Sequence, residues 1–216
     1  VAGKGLADIS TLVQAIETAD SKAAIVVAVR NLAAANDPAA ISTLINVLGY
    51  NNPGAAVAAV DGLVSLGSIA VPALLEELDG YNYGARAWAI RALALIGDPR
   101  ALPVLLDTAL GDFALSVRRA AAKGIGTINW SQLPEDQVAQ AQAQVMEVLQ
   151  QTTTDPEWVV RYAAVAGLHA LVLKAVDSSF GAVISQHLQQ VISHDRSLTV
   201  QARAQMALNA LSGDLG

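Results

Sequence analysis

The chain has no cysteine, which excludes a disulfide, a thiolate metal site and a thiol nucleophile on this polypeptide. Aromatic residues make up only 4% of its 216 positions, although 53% are hydrophobic. Globular cores draw much of their volume from Phe, Tyr and Trp. A core of Ala, Leu, Val and Ile implies thin, closely packed helices instead, and alanine is the strongest helix former. Basic residues are in the minority: the net charge of −6 argues against nucleic acid as a partner, since phosphate binding needs a basic face. The three histidines, His169, His187 and His194, do not pair at metal-ligand spacing, so no metal site is expected. No stretch reads as a signal peptide or a membrane span. The nearest candidate, WVVRYAAVAGLHALVLKAV, is broken by Arg161, Tyr162, His169 and Lys174. A cytoplasmic protein is the expectation.

What is present is a repeat with a period near thirty. AVPALLEEL (70–78) returns as ALPVLLDTAL (101–110), with Pro72 and Pro103 placed for a first helical turn, where a missing N–H costs nothing. Each such helix leads through a turn into a second: GAAVAAVDGLVSLG, GARAWAIRALALIG, SVRRAAAKGIGTI and WVVRYAAVAGLHAL. An apolar residue recurs near the end of the second helices at Leu32, Leu63, Leu93, Ile125, Leu168 and Leu208. The first intervals are 30 to 32 residues and the last two 43 and 40, so the C-terminal repeats carry longer helices or loops. Gly67-Ser68 and Gly97-Asp98-Pro99 supply stop signals. No hairpin can bury its own apolar face, so stacking must do so. The expected fold is all-α, an α-solenoid of about six HEAT-like helical hairpins in one domain over 1–216, with NWSQLPEDQ (129–137) as its most linker-like stretch.

Stacked second helices turn equivalent positions into columns. Counted from the recurrent apolar residue, one column holds Arg86, Arg118 and Arg161, with Ala56 and Gln201 outside them. Its first reading is structural, arginines tying one inter-repeat turn to the next; ligand contact is the second. Another column holds Arg30, Asp61, Arg91 and Lys123. Trp88 precedes Arg91 by three residues and shares its helix flank, while Ala85, Ala89, Ala92, Leu93 and Ile96 form the buried stripe. Trp88 beside Arg91 fits a packing plug or a ligand wall equally. Between Gly84 and Ile125 the net charge is +3, against −9 for the rest, which suits a carboxylated ligand. Arg100 and Arg119 taken singly read as solvated.

The turns add Tyr50, Tyr81, Tyr83, Phe113, Trp130 and Trp158. Phe113 and Trp130 read as buried edge packing, Trp158 with Arg161 and Tyr162 as a candidate site, His169 as an interior histidine, and Asn51 and Asn82 as turn residues. YNYGARAW (81–88) enriches the plainer YNNPGAAVA thirty-one positions earlier with phenol, guanidinium and indole, a set suited to a flat, conjugated, carboxylated ligand.

IGDPRALPVLL with VRRAAAKGIG resembles the repeat named after phycobilisome lyases. The longer run from LGYNNPGAAVAAVDGL through TINW, and DPEWVVRYAA beyond it, is similar to the F-type subunits of phycocyanin α-subunit phycocyanobilin lyases from about Asp8 onward. The resemblance implies a heterodimer with an E-type subunit. That heterodimer would hold phycocyanobilin, an open-chain tetrapyrrole with two propionates, without a covalent bond. It would promote thioether formation with a cysteine of the phycocyanin α subunit, with no other cofactor. The bilin contacts it implies are Tyr83, Arg86, Trp88, Arg91, Asp112, Arg118, Trp158, Arg161 and Tyr162: arginines for propionates, aromatic faces for the rings, and Asp112 for pyrrole N–H groups. No residue is assigned as acid or base. The competing classes are a lyase for another bilin or phycobiliprotein and a non-catalytic HEAT adaptor whose Tyr, Trp and Arg grip a protein. A HEAT-type hydroxylase would need His-Glu ligand pairs, which are missing.

Overall fold

The computed structural model describes residues 8–78 and 83–213, with Tyr83 as backbone only. Twelve α-helices occupy these residues, pairing into six hairpins. They are α1 (Ile9–Glu17) with α2 (Lys22–Ala34), α3 (Ile41–Leu48) with α4 (Pro53–Leu66), and α5 (Val71–Glu77) with α6 (Tyr83–Ile96). Then follow α7 (Leu102–Gly111) with α8 (Leu115–Ile125), α9 (Glu135–Thr152) with α10 (Trp158–Val172), and α11 (Ser179–His194) with α12 (Leu198–Gly213). The chain forms two compact units, Val1–Ile96 and Gly97–Gly216. In the first, α2, α4 and α6 stack side by side; in the second, α8, α10 and α12 do. Each is a stack of HEAT-like hairpins, the α-solenoid arrangement.

Local sequence sets these bounds. Ser21 caps α2 by accepting the Ala24 N–H. Asn52, not its neighbour Asn51, caps α4 by accepting the Ala55 N–H, and its Nδ2 donates to the Lys22 carbonyl one repeat earlier. Pro72 and Pro103 stand in the first turns of α5 and α7. Gly67 and Gly97 end their helices at φ of 67° and 68°, a conformation that penalises a Cβ. The longer C-terminal spacing comes largely from α9, whose 18 residues compare with 8 in α3 and 7 in α5.

Leu32, Leu63, Leu93, Ile125 and Leu168 are fully buried. Leu208 is half-buried instead, while Ala204, Ala207 and Leu211 take the core positions of α12. Alanine and glycine allow backbones to touch. A Cβ on Gly126 would stand 2.2 Å from the Gly167 carbonyl oxygen, and one on Gly167 would stand 2.5 Å from that of Ala122. The end of α8 therefore lies directly on α10, backbone against backbone.

The segment expected to be linker-like is part of the second unit. Trp130–Gln132 forms a short 3-10 turn, Trp130 is buried, and the Asn129 N–H donates to the Gly97 carbonyl at 2.8 Å. Gln142 is wholly buried with both amide atoms satisfied: its Nε2 donates to the Lys174 carbonyl and its Oε1 accepts from the Val176 N–H. Phe113 departs from expectation. Its ring is 73% exposed, because the α7–α8 turn is held through its carbonyl, which accepts from Arg118, leaving the side chain outside. Among the described residues no helix is long and apolar enough to cross a membrane.

Candidate functional site

The arginine column of the second unit forms a chain of joints. Arg118 donates from Nε and Nη2 to the Asp155 carboxylate at 2.7 and 3.1 Å, and from Nη1 to the carbonyls of Asp112 and Phe113. Arg161 repeats this one hairpin later, with Nε and Nη2 on Asp195 at 2.7 and 2.9 Å and Nη1 on the carbonyls of Asp155 and Pro156. The forked geometry matches a guanidinium to a carboxylate. Asp112, Asp155 and Asp195 stand six residues before column positions 118, 161 and 201. Each also closes its turn by accepting the N–H two residues on, from Ala114, Glu157 and Ser197. Gln201 keeps the inner half of the pattern, donating to the Asp195 carbonyl at 2.6 Å. The fork raises the pKa of both guanidinium groups and lowers that of Asp195.

Arg118 and Arg161 thus place their donors inside the protein, and Asp112 is a buried turn residue. All three are among the residues expected at the bilin: the Arg118 and Arg161 side chains join successive repeats through Asp155 and Asp195, and the Asp112 carboxylate accepts the Ala114 N–H within its own turn. Arg86 is half-buried in α6 of the first unit. Asp155 and Asp195 escaped the sequence reading, although a fixed Asp-to-Arg spacing of six, at 112/118 and 155/161, carried the signal.

A cavity of about 500 Å³ opens beside this joint, lined by Thr153, Asp155, Arg161, His194, Asp195 and Arg196 among others. Of its two guanidinium groups, that of Arg161 already holds the Asp195 carboxylate. A second cavity, of about 600 Å³, opens on the helix faces of α8, α10 and α12. Val159, Ala163 and Ala166 make an apolar floor on α10; Trp158 and Tyr162 rise beside it, 46% and 38% exposed. Arg119 and Lys123 of α8 flank it on one side, Thr199 and Arg203 of α12 on the other. The spacing explains the split: Trp158 and Tyr162, four apart, share a helix face, whereas Arg161 turns away toward the joint. The structure brings Trp158 and Tyr162 together and removes Arg161 from them. It adds Arg119, Lys123 and Arg203, cations of α8 and α12 that meet across α10, a convergence that no local stretch of sequence displays.

In the first unit the Arg91 guanidinium carbon stands 5.7 Å from the centroid of the Trp88 ring, a cation–π contact on one flank of α6. Trp88 is half-buried and Arg91 exposed. Tyr81 and Asn82 lie outside the described residues, as does the side chain of Tyr83. His169, in α10, has its Nδ1 3.4 Å from Arg203 Nη2.

Repeated hairpins joined by an arginine column define a HEAT-repeat protein, and the HEAT repeats family matches residues 71–169. The phycocyanin alpha phycocyanobilin lyase CpcF of a Synechocystis species is 58% identical over 168 residues, covering 78% of each chain. The phycocyanobilin lyase subunit beta of Thermosynechococcus vestitus is 46% identical across 94% of this chain and 96% of its own. Among solved structures, the complex of CpcE and CpcF of phycocyanin lyase from Nostoc sp. PCC7120 has a chain 48% identical. It superposes with a TM-score of 0.75 over 79% of this chain and 99% of that one. The chain belongs to the F-type, or beta, subunit family of phycocyanobilin lyases.

Proposed function

We propose that this chain is the F-type half of a heterodimeric bilin lyase. With its E-type partner it binds phycocyanobilin without a covalent bond and promotes its attachment to a cysteine of the phycocyanin α subunit. The observation that carries this reading is the extent of likeness to phycocyanobilin lyase subunits, 58% and 46% identity over most of the chain. The reaction is addition of the acceptor's S–H across the ethylidene double bond of ring A. Sulfur bonds to the exocyclic carbon, the proton goes to the adjoining ring carbon, and no electrons are exchanged with a third party.

The chain contributes no thiol, since it has no cysteine. Its part is to hold a reactive, flexible tetrapyrrole in one geometry while the acceptor supplies the nucleophile, and such positioning accounts for much of a bimolecular barrier. Trp158 and Tyr162 over the apolar floor of α10 suit a conjugated ring, and the Trp88–Arg91 pair on α6 offers the same combination in the first unit. The bilin is the substrate, no further cofactor is required, and the work is done in the cytoplasm where the phycobiliproteins are made.

The test is co-expression of this chain with an E-type subunit, the apo phycocyanin α subunit and a bilin source, followed by zinc fluorescence of the denatured acceptor. A covalent bilin band is expected only when both lyase subunits are present. Attachment that is the same without this chain would overturn the proposal.

A further inference from the structure

The aromatic side chains of the second-unit groove suit a ring, but they leave its three cations without a task. Arg119 and Lys123 are four residues apart on α8, Arg203 faces them from α12, and no carboxylate is among the residues lining the cavity. Three other arginines of this unit have intrachain carboxylates: Arg100 holds Asp98, Arg118 holds Asp155 and Arg161 holds Asp195. Arg119 and Lys123 make no ion pair among the described residues. Gathering three cations around one groove costs self-repulsion, and the chain as a whole is acidic, with a net charge of −6. A cationic cluster in such a chain is a feature of the site and not of the composition.

The cluster also has a direction. Arg203 is steadied by His169, whose Nδ1 lies 3.4 Å from Nη2, while Trp158, 46% exposed, lines the same cavity as the three cations. A cavity of about 600 Å³ with an apolar floor and a few polar groups at its rim has the dimensions of a small-molecule site.

We infer that Arg119, Lys123 and Arg203 form a carboxylate-recognition site that grips the two propionates of the bilin while its rings lie against Trp158. This rests on the reading of the chain as a bilin lyase subunit. It assigns propionate binding to cations outside the arginine column, which is already committed to holding the repeats together.

The test uses the complex of this chain with its E-type subunit. It is titrated with biliverdin, a dipropionate tetrapyrrole, and with biliverdin dimethyl ester, which has the same rings and no carboxylates. The diacid should bind about tenfold or more tighter than the diester, and the preference should shrink as salt rises toward about 0.5 M. The triple variant Arg119→Gln, Lys123→Gln, Arg203→Gln should elute as the same heterodimer and bind both forms equally, at the affinity of the diester for the unaltered complex. Equal binding of diacid and diester by the unaltered complex, or a salt-sensitive preference that survives in the triple variant, overturns the inference. Should the triple variant fail to assemble, the double variant of the exposed Arg119 and Lys123 reads the same preference. Transfer to phycocyanin without a diacid preference would defeat the carboxylate site alone. A diacid preference without transfer would defeat the lyase reading and leave the site standing.

Discussion

Arg118 and Arg161 are linked through one residue: Asp155 gives its carboxylate to the first and its backbone carbonyl to the second. Two successive joints therefore share a single turn, and neither can relax without disturbing the other. The pairs are mostly buried, with Arg118 and Asp155 side chains 11% and 7% exposed and Arg161 and Asp195 9% and 5%.

Arg161→Ala is expected to destabilise the chain by about 3 kcal/mol, because it removes the fork and strands a buried carboxylate. That corresponds to a fall in melting temperature of roughly 6–12 °C. Bilin transfer assayed well below the transition should be little changed. Thermal unfolding alongside the zinc-fluorescence assay checks both. Normal stability with abolished bilin binding would return Arg161 to the binding site.

Gly167→Ala should cost about 1–3 kcal/mol through overpacking. The added methyl meets the Ala122 carbonyl at 2.5 Å and Leu149 at 2.8 Å. Denaturant midpoints would report it. A control, Gly181→Ala, has nothing within 4 Å of the new methyl and sits inside α11, where alanine is the better helix former, so it should be neutral or stabilising.

Trp88→Leu should leave the fold and the E-type partner interface intact while reducing the bilin's red absorbance shift and the transfer rate. It keeps an apolar side chain and removes the π face that Arg91 overlies. Arg91→Lys should be milder than Arg91→Ala, since the charge remains and only the planar fork is lost. If Trp88→Leu melts the protein and spares the spectrum, the ring is packing, and bilin contact is confined to the groove of Trp158 and Tyr162.

Acid should weaken the second unit in two stages. Burial lowers the pKa of His187. The unfolded chain then takes up a proton below about pH 6.5 that the folded chain declines, and stability falls until the depressed folded pKa is passed. The Thr153 hydroxyl donates to the Gln150 carbonyl, so His187 Nε2, 2.9 Å from Thr153 Oγ1, supplies the N–H of that bond. His187→Gln keeps a donor there and should flatten the first stage. Asp195, lowered chiefly by its bond to Arg161, contributes above its unfolded pKa of about 3.9 and fails as pH drops through the lower folded value. Melting temperatures across pH 4 to 8 for both proteins test the first stage.

The period, the hairpins and the arginine column were legible because stacking repeats the same physical demand at a fixed interval. Leu63, Leu93 and Leu168 could be aligned by counting, and Arg118 and Arg161 with them. The acceptors were harder. Asp155 and Asp195 sit in turns, where an aspartate has a sufficient reason to be present in closing the turn itself. Arg119 read as solvated when taken alone; its significance depends on Arg203, more than eighty positions later, standing across the same groove. Phe113 departs from the expected burial because large apolar residues are usually covered, whereas here the side chain lies 73% exposed beside a turn whose carbonyl Arg118 holds.

The shared turn at Asp155 has an evolutionary consequence. Each hairpin that carries both the aspartate and the arginine is a complete sentence with a plug at one end and a socket at the other. Such a unit can be duplicated or lost by recombination without orphaning a charge, so changes of length are expected to arrive in whole hairpins. Gln201 keeps the inner bond and cannot form the fork, so a hairpin that carries it has the plug without the socket.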